Sequence, residues 1–210
     1  MALGDGEIHA SRRGFLAGAA LPLLLPLAAS DPAAAFENRI TPKRNSPSDA
    51  QPYEGVGEGP TADGKLAKCS GAPNCFSSFA KGKNLYYPPW QYTGKSKAEA
   101  FADIEAVIKA YKPGQSGIDG GGFKIAKRTD NYVWVQFESA ENAYIDDLEI
   151  ALTEDGRAAV RSGSREGYLD FAVNARRINA LAKALGERPG WTTTQITKAT
   201  NLAYFIKNMS

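Results

Sequence analysis

Histidine is almost missing from this chain: its 210 residues hold one, His9. That histidine falls in a segment expected to be removed. The domain that remains therefore cannot build a Ser-His-Asp or Cys-His nucleophile system. It also cannot build a histidine-ligated zinc, copper or haem site. Cysteine is scarce too, with only Cys69 and Cys75, whereas zinc and iron–sulfur centres want about four ligands. No metal, no cofactor and no catalytic residue is expected. An excess of one charge is also lacking, with 25 Lys and Arg against 23 Asp and Glu. A near-neutral chain gives no electrostatic ground for nucleic acid or an anionic membrane surface as partner. Beyond residue 35 no apolar run could cross a bilayer, and neither internal repeats nor coiled-coil heptads are present.

What is present begins with an address. Ser11-Arg12-Arg13-Gly14-Phe15-Leu16 leads into an apolar stretch that closes at Ala33-Ala34-Ala35. Paired arginines, a greasy middle and small residues at the end make a twin-arginine export signal over residues 1–35. The stretch from Gly14 to Ala29 falls short of the roughly 20 residues of a span, and Pro22 and Pro26 interrupt it. Cleavage after Ala35 is expected, with Phe36 as the first mature residue. This route carries folded proteins into an oxidising space. Phe36-Glu37-Asn38-Arg39-Ile40 resembles the mature start of algal and plant lumenal proteins. The chloroplast thylakoid lumen is the expected location, with a bacterial periplasm as the alternative.

Residues 36–67 are rich in Pro, Gly, Ser and charge, so they read as an extended or flexible arm unless a partner orders them. Ser96-Lys97-Ala98-Glu99 is a capping box. Phe101, Ile104, Val107, Ile108 and Tyr111 follow at helical spacing until Lys112-Pro113-Gly114 stops the helix. Gly117 to Gly122 reads as a glycine-rich turn without the lysine of a phosphate loop, ligand binding being the alternative. Strand patterns then run from Phe123, through Tyr132 to Phe137, through Leu148 to Leu152, and from Ala159 to Ser164. A second helix is expected from about Asp170 to Leu185, with Ile178, Leu181, Ala182 and Leu185 on one face and Gly186 as its stop. Helix, adjacent strands and helix predict an α+β two-layer domain over 68–188: an antiparallel sheet of about four or more strands, with both helices on one face. Residues 189–210 form a C-terminal extension, read as a short helix with Ile196, Ala199, Ala203 and Ile206 sharing a face. Tyr86 to Tyr92 is an aromatic, proline-held patch suited to covering a sheet edge, a protein-binding or pigment-contacting surface being the alternative.

Two clusters carry a resemblance. Cys69-Ser70-Gly71-Ala72-Pro73-Asn74-Cys75-Phe76-Ser77-Ser78 is the first. The second is Arg161-Ser162-Gly163-Ser164-Arg165-Glu166-Gly167-Tyr168-Leu169-Asp170, continuing through Asn174 and Arg176-Arg177-Ile178. In this order they resemble the domain-of-unknown-function family 1499. Tyr144-Ile145-Asp146-Asp147-Leu148-Glu149 is similar to that family's aspartate-containing strand. The likeness spans roughly Lys65 to Gly186, with Ala175 departing from a usual basic residue, and it implies no established reaction.

Each cluster also has a physical reading. Cys69 and Cys75 in an oxidising space pair as a disulfide that pins the Pro73-Asn74 turn; a redox-regulated dithiol and two-thiolate metal binding are the rivals. Arg161 and Arg165 alternate along one strand face, with Asp146, Asp147 and Asp170 as partners. Asp170 or Asn174 would cap the second helix. Three readings stay open for this group. One is an ion-pair lattice. Another is an anion site of Arg161, Arg165, Arg177, Ser162 and Ser164 at a helix N-terminus. The third is a carboxylate pair assisted by Tyr168. The expected function is a non-catalytic lumenal accessory protein docking onto a membrane complex, a photosystem in an alga, through its arm and tail. An anionic-ligand binder and a carboxylate enzyme are the alternatives.

Overall fold

The computed structural model describes residues 1, 36–42, 48–82 and 84–209. The segment read as an export signal, the expected cleavage site and part of the arm lie outside the described residues. Elements follow in the order β1 (Cys75–Ser77), β2 (Trp90–Tyr92), α1 (Lys97–Lys109), β3 (Gly122–Arg128), β4 (Tyr132–Glu138), β5 (Ile145–Leu152), β6 (Arg157–Ser164), α2 (Val173–Gly186), β7 (Trp191–Thr192) and α3 (Leu202–Asn208). The strands make one antiparallel sheet in the order β3-β4-β5-β6-β2-β7, with β1 also paired to β6. The four long strands pair with their neighbours in sequence, as short connections demand. Beyond β6, two short strands share one edge: β1 against Arg161–Gly163 and β2 against Arg157 and Ala158. The fold is the α+β arrangement that the element order predicts.

Alternation decides which side chains meet the helices. Val133, Val135 and Phe137 of β4 lie in register with Ile150, Leu148 and Asp146 of β5. Ile150 and Leu148 in turn face Val160 and Ser162 of β6. Against this face pack Phe101, Ile104 and Ile108 of α1 and Ile178, Leu181 and Leu185 of α2. The capping box forms: Ser96 Oγ accepts the Glu99 amide at 3.3 Å, and Glu99 Oε2 accepts the Ser96 amide at 2.7 Å. The aromatic patch lies in the core at the β6 edge, with Tyr87, Trp90 and Tyr92 buried. Trp90 and Tyr92 enter β2, and Trp90 Nε1 donates to Tyr87 Oη at 2.6 Å.

The opposite face carries Tyr132, Trp134, Asp147, Glu149, Arg161 and Gly163, and here the arm differs from expectation. It lies on the sheet, burying Val56 and Leu66. Few apolar side chains are needed because polar groups hold it. The Gly57 amide donates to Glu149 Oε1 at 3.1 Å. Arg165 Nη1 donates to the Ala50 carbonyl at 3.0 Å, and Lys127 Nζ to the Gly57 and Glu58 carbonyls. Gly57 has φ +81°, and a Cβ there would come within 2.5 Å of the Trp134 ring. Every residue of β5 is consequently buried, not only one face. The tail also folds back. Tyr204 and Asn208 of α3 are buried while Ile206 is exposed, so the expected apolar face of Ala203 and Ile206 is replaced by Tyr204 and Asn208. Ile196 is buried, as its pattern suggests.

Candidate functional site

The sheet divides the predicted residues into two groups, one on each face. On the helix side Arg177, fully buried, is the hub. Its Nε and Nη2 donate to the two oxygens of Asp119 at 2.9 and 2.5 Å, and Nη2 also donates to Asp146 Oδ2 at 2.8 Å. Nη1 reaches Asn174 Oδ1 at 2.9 Å and Ser162 Oγ at 3.2 Å, and the guanidinium stands 4.6 Å from the Phe137 ring centre. Burial alone pulls such a group down, but the two aspartates more than reverse this and keep Arg177 charged. Asn174 spends its amide on the Asn74 carbonyl, Ser164 Oγ and Asp170 Oδ2, all within 3.0 Å, and accepts from Ser162.

Asp170 was expected to open the second helix. The helix starts instead at Val173, and Asp170 serves it from upstream: its carboxylate accepts the Ala172 and Asn174 amides, both at 3.1 Å. Tyr204 Oη donates to both of its oxygens at 2.8 and 2.9 Å. Burial pushes the Asp170 carboxyl up despite these donors.

Arg161 and Arg165 lie on the other face, as their alternation predicts, but they do not converge on one group. Arg165 makes a two-pronged pair with Asp147, both contacts at 2.8 Å, and Trp134 Nε1 donates to the same carboxylate. Arg161 faces Glu149, with Nη1 3.7 Å from Oε2. The anion site imagined across Arg161, Arg165, Arg177, Ser162 and Ser164 is therefore split by the sheet. Ser162, Ser164 and Arg177 sit under α2, and the two other arginines sit under the arm. Cys69 and Cys75 are joined as a disulfide. Among the described residues, no cluster of three or more His, Cys, Asp or Glu is set to hold a metal ion.

One cavity gathers what remains of the motif. Of about 590 Å³, it opens at the end of the sheet, where the glycine-rich turn, the β4–β5 turn and the β6–α2 connection meet. Tyr144, Tyr168 and Phe171 line it and are exposed. Asp119, Asp146 and Glu166 also line it. Glu166 Oε2 is buried without a hydrogen-bond partner. Asp146 gives Oδ2 to Arg177, and no described group donates to its Oδ1. The non-glycine residues with positive φ among those described are Ser116, Asp119, Ala143, Phe171 and Ala172. Each lines this cavity or flanks a residue that does. Strained backbone of this kind persists where surrounding structure over-determines it, often at ligand sites. A slightly larger cavity under residues 60–64 offers no such open charge, since its Asp63 and Asp155 are paired with Lys65 and Arg157.

Sequence reading missed several partners. Asp119 lies inside a run that reads as a plain turn, and its signal is a single carboxylate among glycines. Glu149 stands in the aspartate-containing strand, two residues beyond Asp147. Nothing in the tail marked Tyr204 or Asn208 as core.

Fold and site together define a two-layer α+β domain with a buried ion-pair lattice on each sheet face and one open, aromatic-lined cavity. The family described as "Protein of unknown function (DUF1499)" matches residues 65–185, more than half of the chain, and the chain belongs to it. No curated protein matches the chain, and no solved structure matches it.

Proposed function

We propose that this chain is a non-catalytic, exported accessory protein that docks onto a partner protein by taking a basic side chain into the cavity lined by Tyr144, Tyr168 and Phe171. A lumenal photosystem-type assembly remains the proposed setting. The arm and tail are less suited to docking than the sequence implies, because both are spent covering their own sheet. The observation that carries the reading is the pairing state of the cavity's charges. Arg177 is saturated by Asp119 and Asp146, so among the described residues the floor has no free cation for an anionic ligand. Asp146 Oδ1 and Glu166 Oε2 are left over as acceptors. Exposed aromatic rings beside open carboxylates suit an ammonium or guanidinium group, through cation–π attraction and charge-assisted hydrogen bonds. Asp119 and Asp170 are committed to structural hydrogen bonds through both oxygens, which favours binding over acid–base chemistry.

The test is calorimetric titration of the full chain with short peptides centred on arginine, lysine or glutamate. Basic peptides should bind and the acidic one should not. Glu166→Gln and the double change Tyr168→Ala, Phe171→Ala should each weaken binding about tenfold, as one lost cation–π or ionic contact predicts, without moving the unfolding midpoint. Equal affinity for the acidic peptide, or indifference to these changes, would refute the reading.

A further inference from the structure

The disulfide has an unusual neighbour. Cys75 opposes Gly163 in the β1–β6 register. A Cβ placed on Gly163 would lie 3.0 Å from Cys75 Sγ and 3.4 Å from Arg161 Nη2. Sulfur and guanidinium thus both border the space that a side chain on this glycine would fill. Arg161 is 1 % exposed, yet its Nε and Nη1 have no hydrogen-bond partner. Its charged surroundings are Glu149, whose Oε1 is taken by Tyr132 and the Gly57 amide, and Asp147, which Arg165 occupies. Tyr132 and Tyr53 are the other polar groups that face it. A buried guanidinium with idle donors is costly, and its third nitrogen, Nη2, borders the same gap at Gly163 as the Cys75 sulfur. Cys75 is 2 % exposed, while Cys69 is only partly buried.

We propose that Cys69–Cys75 is a thiol–disulfide exchange site for a protein dithiol, in which Cys69 is attacked and Cys75 leaves as a thiolate held by Arg161. The incoming thiolate bonds to Cys69 Sγ as the Cys69–Cys75 bond breaks, and the bonding pair passes to Cys75 Sγ. The reductant's second thiolate then displaces Cys69 and becomes a disulfide. Two electrons have moved to the pair, Cys69 takes up one proton, and Cys75 keeps its charge. A better leaving thiolate speeds exchange, and a stabilised reduced form makes the disulfide more oxidising. Arg161 is a positioning residue here.

The loop that the disulfide closes also buttresses the cavity. The Asn74 carbonyl accepts the Ser164 amide, and Asn74 Nδ2 donates to the Gly167 carbonyl at 2.6 Å. The Pro73 carbonyl accepts from Asn208, whose Oδ1 in turn takes the Asp170 and Phe171 amides. Reduction should loosen the wall that carries Tyr168 and Phe171. This second step rests on the docking reading above; the exchange site does not.

The experiment equilibrates the full chain with oxidised and reduced dithiothreitol mixtures and counts free thiols by mass. Arg161→Met should shift the equilibrium at least tenfold toward the disulfide, equivalent to about 30 mV, and slow reduction similarly. Arg161→Lys should restore most of the difference. Glu149→Gln, which removes the competitor for the guanidinium, should shift it the opposite way. Simple loosening of the sheet would make every variant easier to reduce, so an Arg161→Met disulfide reduced as readily as the native one overturns the exchange site. Basic-peptide binding is measured on the native chain in both redox states. Binding that survives reduction removes only the link to the cavity, whereas binding absent from both states removes the docking reading alone.

Discussion

Replacing Arg177 by methionine should expose how the helix face is held together. The guanidinium makes five hydrogen bonds, to Asp119 through both oxygens and to Asp146, Asn174 and Ser162. Methionine fills much of the same volume and contacts Phe137, so lost packing is a minor cost. The larger cost is two buried carboxylates without their cation. Breaking a buried pair by removing one partner costs about 3–5 kcal/mol. For a domain of this size, each kilocalorie lowers the unfolding midpoint by about 2–4 °C. Arg177→Met should therefore melt roughly 10 °C lower and lose about 4 kcal/mol in urea titrations followed by tryptophan fluorescence. Adding Asp119→Asn and Asp146→Asn removes the stranded charges and should recover at least half of the loss. A single-variant loss under about 1 kcal/mol, or a triple variant worse than the single one, would show that the charges do not govern this face.

Two further outcomes follow from the same geometry. Burial raises the Asp170 and Glu149 carboxyls above their unfolded values, so each costs stability at neutral pH and is relieved as pH falls through its raised value toward the unfolded one. Urea stability should therefore rise from pH 7 into the mildly acidic range. Asp103, Glu105 and Asp155 are shifted down, Asp155 to about 2, and their contribution is lost only below the ordinary carboxylate range. Asp170→Asn and Glu149→Gln should each flatten the rise, and a native stability that falls steadily from neutral pH would contradict it. Gly57→Ala places a methyl against the Trp134 ring at positive φ, and should cost about 2–4 kcal/mol from strain and overpacking. Faster proteolysis within residues 48–68 should accompany that loss, and an undisturbed arm would count against its docking on Trp134.

The long elements were legible because local rules and tertiary structure agree on them. Ser96 and Glu99 announce α1, and Val133, Val135 and Phe137 announce β4. The three short strands are not legible: three residues such as Cys75–Ser77 hold no periodicity, and they become strands only because the β6 edge accepts β1 and β2, and β2 in turn accepts β7. Asp147 and Glu149 read as solvent-facing alternation, and they are buried because a polar arm, itself unpromising, lies over them. Arg161 and Arg165 were correctly placed on one face. Their partners were harder to read, since register determines that Arg161 opposes Glu149 while Arg165 reaches Asp147. The cavity could not be read at all, because three loops distant in sequence assemble it.

The central claim is that the cavity between Gly117 and Phe171 receives a cation. Amide resonances of the isotopically labelled full chain, followed during titration with an arginine-centred peptide, test it most directly. The account predicts saturable shifts confined to residues 117–119, 139–146 and 164–173. Shifts clustered on the arm-covered face near Arg161 and Arg165, or equal shifts with a glutamate-centred peptide, would contradict it.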